Sequence, residues 1–248
     1  MEALYILWLR QVKRYARSRA RLIGALLQPL LYLVALGFGL GQVFQKAGQG
    51  SYLQFLAPGI IGQSILFTSI FSGGEVIWDK QFGFLKETLV APVSRFQVML
   101  GRSLGGATVA AMQGALVLVL SVLLGFRVES IALVPLAIAA MALVGLLFTS
   151  LGTALASQVE DMQGFQLIMN FIAMPCYFLS SAIFPLSSAP RWLATIATIN
   201  PLTYGVDLFR ALLTGSSNFS AVTDAAVLAA WTASLLWVGG KLFARIEA

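Results

Sequence analysis

Few residues in this sequence could do chemistry, and the densest internal group of them lies in one stretch. Trp78–Arg102, WDKQFGFLKETLVAPVSRFQVMLGR, holds four of the sixteen basic residues and separates two runs apolar enough to cross a bilayer. The chemistry open to such a stretch is docking. Asp79 can cap a helix running from Lys80 toward Val90, and Pro92 ends it. Phe82, Leu85 and Leu89 then share one side at i, i+3 and i+7, with Lys86 and Glu87 beside them. A helix of this kind can lay its apolar side into the groove of a soluble partner. It can equally lie on a membrane surface, and the pattern leaves both readings open.

Covalent and redox chemistry have nothing to work with. Histidine is absent and Cys176 is the single cysteine, set in an apolar run. That removes Cys/His zinc sites, Cys–His nucleophile pairs and any disulfide within the chain. A phosphate-binding G-x-x-x-x-G-K-[ST] loop is also missing, since Gly240–Lys241 is followed by Leu242 and lacks the earlier glycine. The chain is therefore expected not to be an enzyme and to bind no metal or cofactor. The middle of each apolar run is free of Asp, Glu, Lys and Arg, which speaks against proton-coupled transport.

The elements that must position the docking stretch follow from composition. The 248 residues are 58% hydrophobic and 10% charged, against about 25% charged in a soluble domain. This is an all-α integral membrane protein. About 20 residues of helix cross a bilayer core, and six runs qualify: 22–44, 55–77, 104–126, 131–156, 165–186 and 220–243. Before them, residues 1–21 read as a helix lying in the headgroup layer. Arg10, Arg14, Arg17 and Arg21 take one side, facing anionic lipid, and Leu4, Trp8, Val12 and Tyr15 another, with Ile6 and Arg19 out of pattern. The run after it is too long for a signal peptide. Within the first run, Gln28–Pro29 is expected to kink the helix, and Gly37/Gly41 form a GxxxG pair that permits close approach.

Residues 193–213 are apolar but contain Pro201, Asp207 and Arg210, so they read as short helices dipping into the outer leaflet, with Asp207 and Arg210 paired three apart. Glu75 has no assigned partner beyond a basic residue of the docking stretch. Orientation follows from basic residues. Twelve fall on one side, at the N-terminus, the docking stretch and the C-terminus, including Lys241 and Arg245. Four (Lys46, Arg127, Arg191 and Arg210) fall on the other. Both termini are expected to be cytosolic.

Two segments resemble a known family. FGFLKETLVAPVSR (Phe82–Arg95) and FLSSAIFPLSSAPRWLATIATINPLTYGVDLFRALL (Phe178–Leu213) are similar to the loop after the second span and the signature after the fifth span of type-2 ABC exporter permeases. The likeness is strongest to the drug-resistance and polysaccharide-export branch. The resemblance implies one transmembrane domain over 1–248. It comprises an interfacial helix (1–21), spans one and two (22–77), a coupling loop (78–103), spans three to five (104–186), external re-entrant helices (187–219), and span six with its tail (220–248).

It implies a permease subunit moving amphipathic drugs, lipids or glycans out of the cell, multi-pass in a prokaryotic cytoplasmic membrane. The partners it implies are an ABC ATPase subunit, which binds ATP and magnesium, a second permease copy (the same chain or a close paralogue) and membrane lipid, but no nucleic acid. ATPase contact falls, by position, on Phe82, Leu85, Lys86, Glu87 and Leu89 and on Glu160 and Asp161 of a second loop. The translocation pathway falls on Gln63, Phe67, Thr68 and Phe71 of the second span and Asn170, Met174, Tyr177 and Phe178 of the fifth. The first and fifth spans would meet across the dimer. A secondary transporter or channel working without an ATPase is the alternative, and co-purification of an ATP-binding subunit distinguishes the two.

Overall fold

A computed structural model describes residues 2–41, 44, 51–85, 88, 92–186 and 189–244, and among these every regular element is helical. In chain order they are α1 (Glu2–Arg17), α2 (Arg19–Gly39), α3 (Tyr52–Gln81), α4 (Arg95–Leu123), α5 (Val134–Gln158, entered through a 3₁₀ turn at Ile131–Leu133), α6 (Met162–Phe178), α7 (Arg191–Ile199), α8 (Pro201–Thr214) and α9 (Ala221–Phe243). Five helices (α2, α3, α4, α5 with its 3₁₀ turn, and α9) are long and apolar enough to cross a membrane. α6 has 17 residues, a rise of about 26 Å.

Local chemistry sets the boundaries. After Pro92 the chain re-enters helix through a capping box, in which Ser94 Oγ accepts from Gln97 N and Gln97 Oε1 accepts from Ser94 N. Asp161 caps α6 by accepting from Gly164 N at 2.6 Å. Asn200 caps α8 through Leu202 N, with Pro201 at the first helical position. Gly215, at φ 65°, ends α8 in the left-handed conformation that glycine adopts without a Cβ penalty.

α3 is the axle of the bundle. Twenty of its thirty residues are buried, and it packs against α2, α4, α5, α6 and α8. Its closest approach is to α5, and both sides of that contact are glycine. A Cβ on Gly73 would lie 2.5 Å from Thr153 N, and one on Gly152 would lie 2.6 Å from Ile70 O. Between membrane helices hydrophobic transfer offers little, so backbone proximity of this kind carries much of the association.

Charged and irregular positions shift the expected boundaries. Asp79 does not cap a helix: α3 continues through it to Gln81, and the chain turns at Gly83, whose φ is 77°. α4 begins at Arg95 rather than 104, so Arg102 is a buried helical residue and the polar interruption is much shorter than its composition implies. Residues 86, 87 and 89–91 lie outside the described residues, as do Lys46 and Arg245. α6 stops at Phe178 instead of 186, because the chain turns inward there. Ser180 N bonds Tyr177 O, and the Ser181 carbonyl accepts from Arg210 at 2.6 Å.

Residues 193–213 form two helices, and α8 is not peripheral. Ten of its fourteen residues are buried, and it contacts α3, α5 and α9. Asp207 and Arg210 do not pair with each other. Asp207 accepts from the backbone N–H groups of Asn218 and Phe219 and from Asn218 Nδ2 at 2.8–3.0 Å. Arg210 donates to Ser181 and to Phe55 O, and stacks 4.0 Å over the Phe55 ring.

Candidate functional site

At the α1 end of the bundle, a cavity of about 400 Å³ opens between α1, α2, α3 and the start of α6. α3 supplies its longest wall. Gln63, Phe67 and Phe71 recur every four residues on the lining, and Ser64, Thr68 and Ser72 run beside them, as one face of a 3.6-residue helix requires. Glu75 and Trp78 continue the wall toward the mouth. Gln11 and Tyr15 come from α1, Arg21 and Gln28 from α2, and Gln166 from α6.

The mouth is held by charges from four helices. Glu75 and Asp79 lie one turn apart on α3 and are nearly buried, so their mutual repulsion must be compensated. Arg14 and Arg21 reach Glu75 at 3.4 and 2.7 Å. Arg10 forks onto both oxygens of Asp79, at 2.8 and 3.1 Å, and Arg102 of α4 pairs with the same carboxylate. Arg10 also lies 3.6 Å over the Phe84 ring, joining α1 to the turn after α3. Glu75 thus takes its partners from α1 and α2, not from the 78–102 stretch.

A neutral chain of hydrogen bonds fixes the back of the cavity. Pro29 has no N–H, so the carbonyl four residues earlier in α2, that of Ala25, loses its helical donor. Gln113 of α4 supplies one, its Nε2 donating at 2.9 Å, and its Oε1 accepts from the Tyr15 hydroxyl of α1. Burial keeps the Tyr15 phenol above its ordinary pKa, opposed by Arg21, so it stays protonated and donates. The one amide side chain in the third apolar run thus answers the one proline of the first.

α1 itself rests on protein. Leu7, Gln11 and Tyr15 are buried, and the helix packs along α4, where a Cβ on Gly101 or Gly105 would meet the α1 backbone or Gln11. The apolar side expected to face lipid therefore faces α4, and Arg10 and Arg14 turn toward α3. The helix also breaks at Ser18, which puts Arg21 on α2. Within the chain, the GxxxG pair at a helix contact is Gly101/Gly105. At Gly37 only a Leu53 side chain comes near, and nothing lies within 4 Å of Gly41.

The expected site residues divide. Gln63, Phe67, Thr68 and Phe71 share the cavity wall. Asn170, Met174, Tyr177 and Phe178 do not border it; Tyr177 is buried against the bundle, and the other three are exposed along α6. At the turn after α3, Phe82 is 77% exposed and stacks on Trp78, whereas Leu85 is 2% exposed. The turn at Gly83 sends these two side chains in different directions, so they share no docking face. Lys86, Glu87 and Leu89 lie outside the described residues. Glu160 and Asp161 are exposed in the α5–α6 turn. That turn is tied to the end of α3: Lys80 Nζ donates to the carbonyls of Ser157 and Ala156 at 2.7 and 3.1 Å, and Gln81 to Glu160 O at 3.4 Å.

Sequence reasoning missed the partners of Glu75, the burial of Arg102, and the roles of Gln11, Gln28 and Gln113. The available signal was spacing. Glu75 and Asp79 share a face at i, i+4, and so do Arg10 and Arg14.

Residues 2–214 match the profile of the family described as ABC-2 type transporter. A transport permease of Cyanophora paradoxa is 30% identical over 88% of this chain and 76% of its own length. Nodulation protein J of Rhizobium leguminosarum bv. trifolii is 31% identical, covering 79% of this chain and 75% of its own. A doxorubicin resistance ABC transporter permease, DrrC of Mycobacterium tuberculosis, is 26% identical over 91% and 81%.

Proposed function

The chain belongs to the ABC-2 type transporter family, and from that premise we propose that it is the membrane half of an exporter driven by a separate ATP-binding subunit. In this reading α6 also crosses the membrane, as the fifth span in chain order, bringing the total with the five longer helices to six, and both termini lie on the ATPase side. The complex sits in a prokaryotic cytoplasmic membrane, and ATP and magnesium bind to the partner. Two permease copies pair through α2 and α6. Supporting this, both helices expose large apolar side chains, among them Ile23, Leu31 and Phe38 on α2 and Leu167 and Phe171 on α6. The cargo class is amphipathic: drugs, lipids or glycans; one relative is named for doxorubicin resistance.

The observation that carries the reading is the continuity of α3. One uninterrupted helix runs from the cavity wall at Gln63 to the exposed ring of Phe82. A push at Phe82, or at the neighbouring Glu160–Asp161 turn, is transmitted along a rigid rod to Glu75 and the cavity mouth. ATP binding can shift such an element only through a difference in affinity between its two arrangements. The docked turn is where that difference would be felt.

The test is Phe82→Asp in the complex reconstituted in liposomes. Insertion and folding should be unchanged, because the ring is exposed, while ATPase association and export are lost. Leu85→Asp is not an equivalent test, since it places a charge in the bundle's own core. Export by the purified chain without any ATP-binding subunit would instead establish a secondary transporter.

A further inference from the structure

Four glutamines from four different helices border one cavity: Gln11 of α1, Gln28 of α2, Gln63 of α3 and Gln166 of α6. None of their side chains makes a hydrogen bond within the described residues, although Gln63 is 3% exposed and its Oε1 is fully enclosed. A buried amide oxygen left without a partner costs about 1–3 kcal/mol; the Nε2 of the same amide, equally unbonded, is not enclosed, and it is the end open to a group that arrives later. Against these amides stand the rings of Phe67 and Phe71, spaced one helical turn apart.

The charges at the mouth narrow the ligand further. The charged side chains of the lining are Arg21 and Glu75, which are paired at 2.7 Å, and Glu75 is held a second time by Arg14. A cation entering here would have to displace an arginine from Glu75, and an anion would meet Arg21 beside that carboxylate.

We propose that this cavity binds an uncharged ring compound bearing several hydroxyl or amide groups, its polar edge read by the glutamines and its flat face by Phe67 and Phe71. Glutamine both donates and accepts, which suits a hydroxyl and gives no preference to a charged head. The assignment rests on the exporter reading for its place in transport, but binding itself does not require the ATPase.

The experiment therefore measures binding to the full chain in lipid nanodiscs, corrected for empty discs. Three probes share one tail: hexyl β-D-glucoside, hexyltrimethylammonium and hexyl sulfate. The glucoside should bind saturably, with the two ions at least about tenfold weaker. Gln63→Leu and Gln28→Leu should each weaken glucoside binding about fivefold to tenfold. Ser234→Leu, exposed on α9 and off the cavity wall, should leave it unchanged. Thermal stability of Gln63→Leu should hold or rise, because the substitution removes an unsatisfied buried oxygen. Preference for the ammonium or the sulfate, glucoside uptake that never saturates, or full affinity in both glutamine variants would each overturn the assignment. Nucleotide-driven flux, measured separately, tests the exporter reading. Its absence with binding intact would sink that reading and leave the site.

Discussion

The two ends of the bundle bury charge in opposite ways. At the α1 end, Asp79 and Glu75 are matched by four arginines from three other helices, and every one of those contacts joins residues far apart in sequence. At the α8 end, Asp207 and Arg210 sit three residues apart and yet form no direct ion pair. One is satisfied by loop N–H groups, the other by carbonyls and a ring. Ion pairs between separate helices can be broken and remade as those helices move. A charge wrapped by backbone is released only if the loop unfolds. On these contacts the α1 end is the one expected to rearrange and the α8 end the one expected to hold.

The strongest attack on this contrast is Asp79→Ala. Arg102 is almost wholly buried, with Nε and Nη1 already unpartnered, and its direct ion-pair partner would vanish. Breaking a buried pair by removing one member costs about 3–5 kcal/mol, and a thermal melt in detergent should show it as the largest loss in the series. The companion variant Arg102→Met, which removes the buried cation itself, should recover part of the loss when combined with Asp79→Ala. At the other end, Asp207→Ala strips the acceptor from three N–H donors. The expected cost is smaller, about 1.5–3 kcal/mol, with increased proteolysis confined to residues 215–220. Loss at the α8 end equal to that at Asp79 would erase the distinction.

These partnerships mark where the sequence stops being readable. The apolar runs were legible as helices because twenty residues of low polarity admit few other structures. Their ends were not, since Asp79 and Arg102 look like solvated charges until each is seen as the other's partner 23 residues away. Gln113 and Pro29 pose the same difficulty. Each is a blemish in its own helix, and only their juxtaposition turns two defects into one hydrogen bond. At Gly101/Gly105 the GxxxG spacing was present but straddles the expected boundary between the coupling loop (78–103) and the third span (104–126). Both sets of candidate lining were implied by the resemblance alone; the α3 set shares one helical face on the cavity, whereas three of the four α6 residues face outward, toward a surface that one chain does not supply.

A subtler perturbation separates the ends by ionic strength. Arg14 and Arg21 are each more than 40% exposed, so their pairs with Glu75 are worth no more than surface salt bridges, about 0.2–1 kcal/mol. Screening shortens the Debye length from about 10 Å at 0.1 M salt to about 3 Å at 1 M. Salt should therefore loosen α1 while leaving the backbone-wrapped charges of α8 alone. Hydrogen exchange reads this directly. Raising salt should speed amide exchange in α1 several-fold in the native chain. In Glu75→Gln that exchange should start faster and respond less, because the carboxylate that salt would have screened is gone. Exchange in α8 should be the same in all four conditions. If α8 accelerated alongside α1, the charge at both ends would be held by the same kind of contact, and the claim that only one end is built to move would fail.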